Sequence, residues 1–144
     1  METDTPAPQL IQLGQATDKR GSLSFFENNN QIPFAIKRTH WVYGVQEGES
    51  RYGHASHNGK QFVVALSGGF NVMVDDGGGR QVFDLSGPYY GLYIPPMHWW
   101  EMSGFAASSL ALVVSSQELA DEDQIHTYDR FCVLRGAHAK NISL

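Results

Sequence analysis

Arg51-Tyr52-Gly53-His54-Ala55-Ser56-His57-Asn58-Gly59-Lys60-Gln61, running directly into Phe62-Val63-Val64-Ala65-Leu66-Ser67-Gly68, is the stretch that decides the fold. On a strand, residues 54 and 56 share one face and residue 57 points the other way. Asn58-Gly59 signals a turn, Gln61 opens a second strand and Gly68 stands where that strand ends. Further on, Pro95-Pro96-Met97-His98-Trp99-Trp100 is a turn that feeds another strand. Two tryptophans in succession on a strand face opposite ways. At most one of them lines what the first stretch faces, and the other belongs to core or interface.

Outward from this stretch the chain reads as short strands rich in branched and aromatic residues, expected over Ser22–Glu27, Phe34–Val45, Gln61–Leu66, Phe70–Val74, Gln81–Leu85, Gly91–Ile94 and Leu110–Ser115. Turn signals follow them, among them Asn28-Asn29-Asn30, Ser67-Gly68-Gly69, Asp75-Asp76-Gly77-Gly78-Gly79 and Ser103-Gly104. Phe70, Val72 and Val74 alternate with Asn71, Met73 and Asp75, the pattern of a half-buried strand entering a hairpin. Strands so spaced make a sandwich or barrel. The one helical segment expected is a short turn within Gln117–Asp123, and Leu134–Leu144 is weakly patterned, expected to fray or pack loosely.

The two quoted stretches resemble the paired signatures of the cupins, His-x-His with a following acidic residue and glycine, and Pro-x-Gly-x-x-His. The resemblance selects an all-β fold, the cupin double-stranded β-helix or jelly roll, as a single domain. Of the four ligand positions of a metal-binding cupin only His54 is kept, with Ser56, Gln61 and Trp100 at the others. A transition metal needs three or four convergent N, O or S donors. A hydroxyl and an amide are poor ligands and an indole is none, so no metal and no cofactor are expected. His57 and His98 lie near the vacated positions in sequence, His57 reading as a solvent-facing turn residue.

At 144 residues the chain is one domain, read as a flexible start over 1–9, a jelly roll over 10–131 and a tail over 132–144. A net charge of -5 argues against nucleic acid as a partner. The single cysteine, Cys132, excludes an intrachain disulfide and suits a reducing cytoplasm. Met1–Pro8 has neither the basic start nor the apolar run of a signal peptide, and no apolar run approaches a membrane span. A cytoplasmic protein without membrane partners is expected.

His54 is the candidate for acid/base work, because imidazole titrates near neutral pH. Arg38, beside Lys37, and Arg51 form the candidate anion-binding set, since the guanidinium fork suits a phosphate. Trp41 and Trp100 are the candidates to stack on a base or sugar, and the run His98-Trp99-Trp100-Glu101-Met102 places polar groups beside aromatic ones, as a small-molecule pocket requires.

Asp18-Lys19-Arg20-Gly21-Ser22-Leu23, Pro33-Phe34-Ala35-Ile36-Lys37-Arg38, Arg51 to Gln61, Gly91-Leu92-Tyr93-Ile94-Pro95-Pro96 with Trp99, and Tyr128-Asp129-Arg130-Phe131 resemble, in order and spacing, the sugar-nucleotide 3,4-ketoisomerases of the WxcM-like cupin family. The likeness spans roughly Leu10 to Phe131. It implies an isomerase that moves the keto group of dTDP-4-dehydro-6-deoxy-D-glucose from C4 to C3, on the way to amino sugars of bacterial surface polysaccharide. It also implies metal-free enediol chemistry and a homodimer that exchanges its N-terminal strand. By position, His54 matches the first catalytic histidine, Ser56 falls where the second stands, and Trp100 falls where relatives carry histidine or arginine. Arg20 matches an arginine at the near end of the pocket, Arg38 and Arg51 a diphosphate clamp, and His98 and Tyr128 join the expected substrate-binding set. Three readings remain open with Ser56 in place of a histidine. His54 works alone; His57 or His98 takes the second role; or the protein is a sugar-nucleotide epimerase or non-catalytic binding module.

Overall fold

The computed structural model describes residues 7–142. Twelve strands lie in chain order: β1 (Gln9–Gln12), β2 (Gly14–Asp18), β3 (Gly21–Phe25), β4 (Arg38–Tyr43), β5 (Arg51–Ser56), β6 (Gln61–Ser67), β7 (Phe70–Asp75), β8 (Arg80–Leu85), β9 (Tyr90–Ile94), β10 (Trp99–Ser103), β11 (Leu110–Ser115) and β12 (Gln124–Ile125). A one-turn 3-10 helix at Asp121–Asp123 precedes β12, and α1 (Tyr128–Ile142) ends the chain. One five-stranded sheet has the order β1-β9-β6-β11-β4, a second β12-β5-β10-β7-β8, and β2 and β3 form a separate hairpin. The two sheets face each other as a jelly-roll sandwich of the cupin kind.

Three apolar layers follow from strand alternation. Val63, Ala65, Val72, Val74, Leu92, Trp100, Met102 and Val113 point between the sheets. Phe62, Val64, Tyr93 and Val114 point out of the first sheet and are covered by Leu13, Ile32 and Phe34 from the N-terminal segment. Ala55, Trp99 and Ile125 point out of the second sheet, where Phe131 of α1 packs on them. Strand β6 is therefore buried on both faces, which is why it reads as an unbroken apolar run rather than an alternation.

Two expectations are corrected, and that of a short turn within Gln117–Asp123 is met. The strand expected over Phe34–Val45 is paired only over Arg38–Tyr43, because the preceding segment wraps the outer face of the sheet and ties Ile36 N–H to Asn28 Oδ1 at 3.0 Å. The helical segment expected within Gln117–Asp123 amounts to the single turn at 121–123. The long helix lies where a loose tail was expected and crosses from Phe131 to Cys132 without interruption. Its apolar residues are few: Phe131 is buried while Val133 is exposed, so the sequence carries little helical periodicity. Asp75 and Arg135 help hold it. Tyr128 Oη donates to Asp75 Oδ2 at 2.6 Å, and Arg135 donates to the carbonyls of Asp76 and Met97. Of the start expected to be flexible, residues 1–6 lie outside the described residues, and Gln9 is already paired opposite Tyr93.

The β2–β3 hairpin joins neither sheet. Leu23 and Phe25 on it are exposed at 58% and 43%. Phe25 lies across Gly14, leaving no room there for a side chain. Among the described residues no helix is long and apolar enough to cross a membrane.

Candidate active site

Strand β5 lies between β12 and β10, so its inward residues, His54 and Ser56, meet side chains from both neighbours. Trp100 is the register partner of His54 and Gln124 that of Ser56. Across the sandwich, β4 turns Arg38 and His40 inward, with Val42 below them in the core. These groups line a cavity of about 110 Å³, to which Gln61, Ser115, Gln117, Glu118, Leu119 and Asp123 also contribute. A second, open hollow of about 530 Å³ lies alongside, lined by His40, Trp41, Tyr43, Ser50, Arg51 and their neighbours. His40 belongs to both walls. A small polar cavity beside a wider trough suits a ligand with a compact head and a longer, charged body.

The base of the cavity is rigid. Met97 N–H donates to the Ser56 carbonyl at 2.8 Å, and Met97 holds a left-handed φ of 60°, unusual outside glycine. Gln61 Nε2 donates to Ser115 Oγ at 3.3 Å, and Gln124 Nε2 reaches Ser56 Oγ at 3.5 Å. Asp123 is buried, and its Oδ1 accepts both the backbone N–H and the Nδ2 of Asn58 at 3.0 Å each.

Burial pushes the His54 imidazole down to about 4, helped by the positive fields of His126, His40 and Arg38. His40 is lowered as well, first by burial and then by Arg38. Both rings are therefore neutral at pH 7, the form that accepts a proton. Arg38 forms no ion pair among the described residues, so its charge faces the cavity uncompensated by a carboxylate within pairing distance.

The expected site residues divide into three groups. His54, Ser56, Arg38 and Trp100 come together in the cavity, and Trp41 and Arg51 line the trough beside it. His98 and Tyr128 lie elsewhere: His98 Nδ1 is 2.9 Å from the Pro96 carbonyl, and Tyr128 packs on Trp99 and Phe131 across the outer face of the second sheet. His98 precedes β10 in a turn where Met97 has a positive φ, so the strand alternation that turns Trp100 inward does not reach it, and Tyr128 packs on Trp99, which faces away from Trp100. Arg20 sits in the β2–β3 turn, paired with Asp18 at 2.6 Å and exposed. His57 lines neither hollow. His40 does, and its signal was present in the sequence, two residues after Arg38 on one strand and hence on the same face. Asp123 and Gln124 had no such signal, because the return of the 116–125 segment beside β5 is a tertiary event.

The donors at the four cupin ligand positions do not fit a metal, as Ser56, Gln61 and Trp100 replace three of them. Among the described residues no group of three or more His, Cys, Asp or Glu is placed to hold one.

Residues 6–136 match the family described as FdtA: WxcM-like, C-terminal. The chain is 36% identical over 123 residues, 85% of its own length and 88% of the relative's, to a TDP-4-oxo-6-deoxy-alpha-D-glucose-3,4-oxoisomerase of Aneurinibacillus thermoaerophilus. Among solved structures it is similar to QdtA, a sugar 3,4-ketoisomerase from Thermoanaerobacterium thermosaccharolyticum in complex with TDP, with a TM-score of 0.88 and 28% identity, covering 91% of this chain and 96% of that one. It is similar also to the WlaRB TDP-quinovose 3,4-ketoisomerase of Campylobacter jejuni, with a TM-score of 0.84 and 31% identity, covering 90% and 99%.

Proposed function

Because this chain belongs to the FdtA family, WxcM-like, C-terminal, we propose that it is a sugar-nucleotide 3,4-ketoisomerase acting on a TDP-linked 4-keto-6-deoxyhexose. The observation that carries the reading is a neutral, inward His54 that shares its cavity with Arg38. In this reading the keto sugar enters the cavity, Arg38 and Arg51 hold the diphosphate, and Trp41 in the trough offers a face to the base.

The chemistry asks for two kinds of proton movement. His54 takes the proton from C3, and the C3–H electron pair becomes the C3–C4 double bond of an enediolate. Protonated His54 then returns a proton to C4 while the O3–H bond breaks and its electrons form the new C3 carbonyl. The proton leaving O3 must reach O4. Ser56 is suited to that step without being a base, because a hydroxyl accepts one proton as it gives another. A carbon-bound proton needs the imidazole, whereas an oxygen-bound one does not. That division answers the replacement of the second histidine by serine. Neither His57 nor His98 lines the cavity to take that role, and epimerisation has no support at comparable identity.

We infer further that the protein is a homodimer in which the β2–β3 hairpin is the exchanged element. Its exposed Leu23 and Phe25 and its lack of a partner strand support this, whereas β1 is paired within its own sheet. Exchange would carry Arg20, at the hairpin turn, toward the partner's cavity. The test of function is direct: TDP-4-keto-6-deoxyglucose incubated with the protein yields the 3-keto isomer, followed by NMR. Absence of that product at high enzyme concentration would overturn the reading, and a monomeric mass in solution would overturn the dimer.

A further inference from the structure

We propose that Asp123 completes the proton path of this site, accepting the O3 proton through Ser56 Oγ and returning it to O4. The inference rests on the ketoisomerase reading and adds to it the group that stands in for the missing second histidine.

Asp123 is 8% exposed and lines the same cavity as His54 and Ser56. Its two oxygens are used differently. Oδ1 is held by both donors of Asn58, while Oδ2 accepts no hydrogen bond among the described residues. Gly59 shows where Oδ2 stands. A Cβ added to Gly59 would lie 3.2 Å from Ser56 Oγ and 3.4 Å from Asp123 Oδ2, so one small space is bordered by both oxygens. Gly59 is buried, and having no side chain it lets both oxygens pack closely against its backbone. Ser56 and Asp123 line the same cavity, and a water within it would carry the proton between their oxygens. A buried carboxylate with one oxygen anchored and the other aimed at a cavity is costly as packing alone, and useful as a proton acceptor.

The balance is simple. As the O3–H bond breaks, its proton passes to Ser56 Oγ while the Ser56 proton passes to Asp123. The reverse transfer delivers a proton from Asp123 through Ser56 to O4, leaving both side chains as they began. No electron leaves the substrate and no co-reactant is consumed. His54 meanwhile carries the carbon-bound proton from C3 to C4.

Asp123→Asn separates this role from anchoring, because the amide keeps an oxygen for the two Asn58 donors but cannot hold a second proton. With TDP-4-keto-6-deoxyglucose, we expect kcat to fall about a hundredfold or more, with KM, TDP affinity and melting temperature unchanged. Gly59→Ala keeps both side chains but crowds Ser56 Oγ and Asp123 Oδ2 out of place, and is expected to lower kcat as well. Parental kcat in Asp123→Asn overturns the proposal, the more so if His40→Asn loses turnover, which moves the role to the other cavity imidazole. A loss of kcat in Asp123→Asn with an equal loss of melting temperature and TDP binding also overturns it, assigning Asp123 to anchoring. Parental protein that turns over nothing overturns the ketoisomerase reading itself, an outcome distinct from both.

Discussion

His54 and Trp100 face each other across adjacent antiparallel strands as register partners, their rings 5.3 Å apart between centroids and inclined at 49°. The indole is 1% exposed and belongs at once to the sandwich core and to the cavity wall. It occupies a position that a metal-binding cupin gives to a ligand, and turns a polar wall into an apolar one against the imidazole.

Trp100→Ala should therefore cost about 3–5 kcal/mol of stability, as truncation of a fully buried tryptophan does, and should raise the ionisation of His54 toward its ordinary value as water enters. Denaturant melts and a histidine NMR titration check the two effects. A stable variant with an unchanged His54 titration would mean that the indole neither packs nor desolvates as described.

His54 also gives stability a pH dependence whose sign is fixed. Its ordinary value of 6.5 is lowered to about 4 in the fold, so between those values the unfolded chain binds the proton and the folded chain does not. The contribution is whole above pH 6.5 and is lost as pH falls toward 4, on the order of 3 kcal/mol in all. Denaturant midpoints across pH 4–7 should fall less steeply toward acid in His54→Asn than in the parental protein. Equal slopes would place the titration elsewhere, with His40 and His98 also lowered by burial.

The strands were legible because apolar patterning and turn residues are local, as in the unbroken run Phe62 to Leu66 and the alternation Phe70 to Val74. The resemblance to the cupin signatures then selected the jelly roll from sandwich or barrel. His54, Ser56 and Trp100 were legible for the same reason, sharing a face at fixed spacing. Tyr128 was not: a run resembling the family marked it, but only packing reveals that its hydroxyl serves Asp75 on the far side of the sheet. Asp123 was invisible because sixty-five residues separate it from Asn58, and no periodicity reports which segment returns beside β5. Helix α1 escaped because its apolar face is narrow, Tyr128, Phe131 and Leu134, and the hydrogen bonds of Tyr128 and Arg135 that help hold it are tertiary.

Tyr128→Phe tests the latch. Hydrogen bonds from Tyr128, Gly77 and Arg80 outweigh burial and keep the Asp75 carboxyl below its usual range. Removing the phenol from its charged acceptor should lower the melting temperature while leaving KM unchanged, because the group lies outside the cavity. A raised KM at unchanged stability would return Tyr128 to the substrate.

Arg51→Ala tests the trough. A charge-assisted, bidentate contact to a diphosphate contributes about 1.5–3 kcal/mol, so TDP should bind tenfold or more weakly, measured by calorimetry. Unchanged affinity with the fold intact would remove Arg51 from the site.

The most direct measurement of the central claim follows the carbon-bound protons. Parental protein and TDP-4-keto-6-deoxyglucose are mixed in deuterium oxide and the sugar ring is followed by NMR. If His54 carries a proton between C3 and C4, a 3-keto product forms with label entering at C4 or recovered substrate labelled at C3, and His54→Asn loses both. Tight binding with neither product nor label, or label confined to C5, would contradict ketoisomerisation at His54.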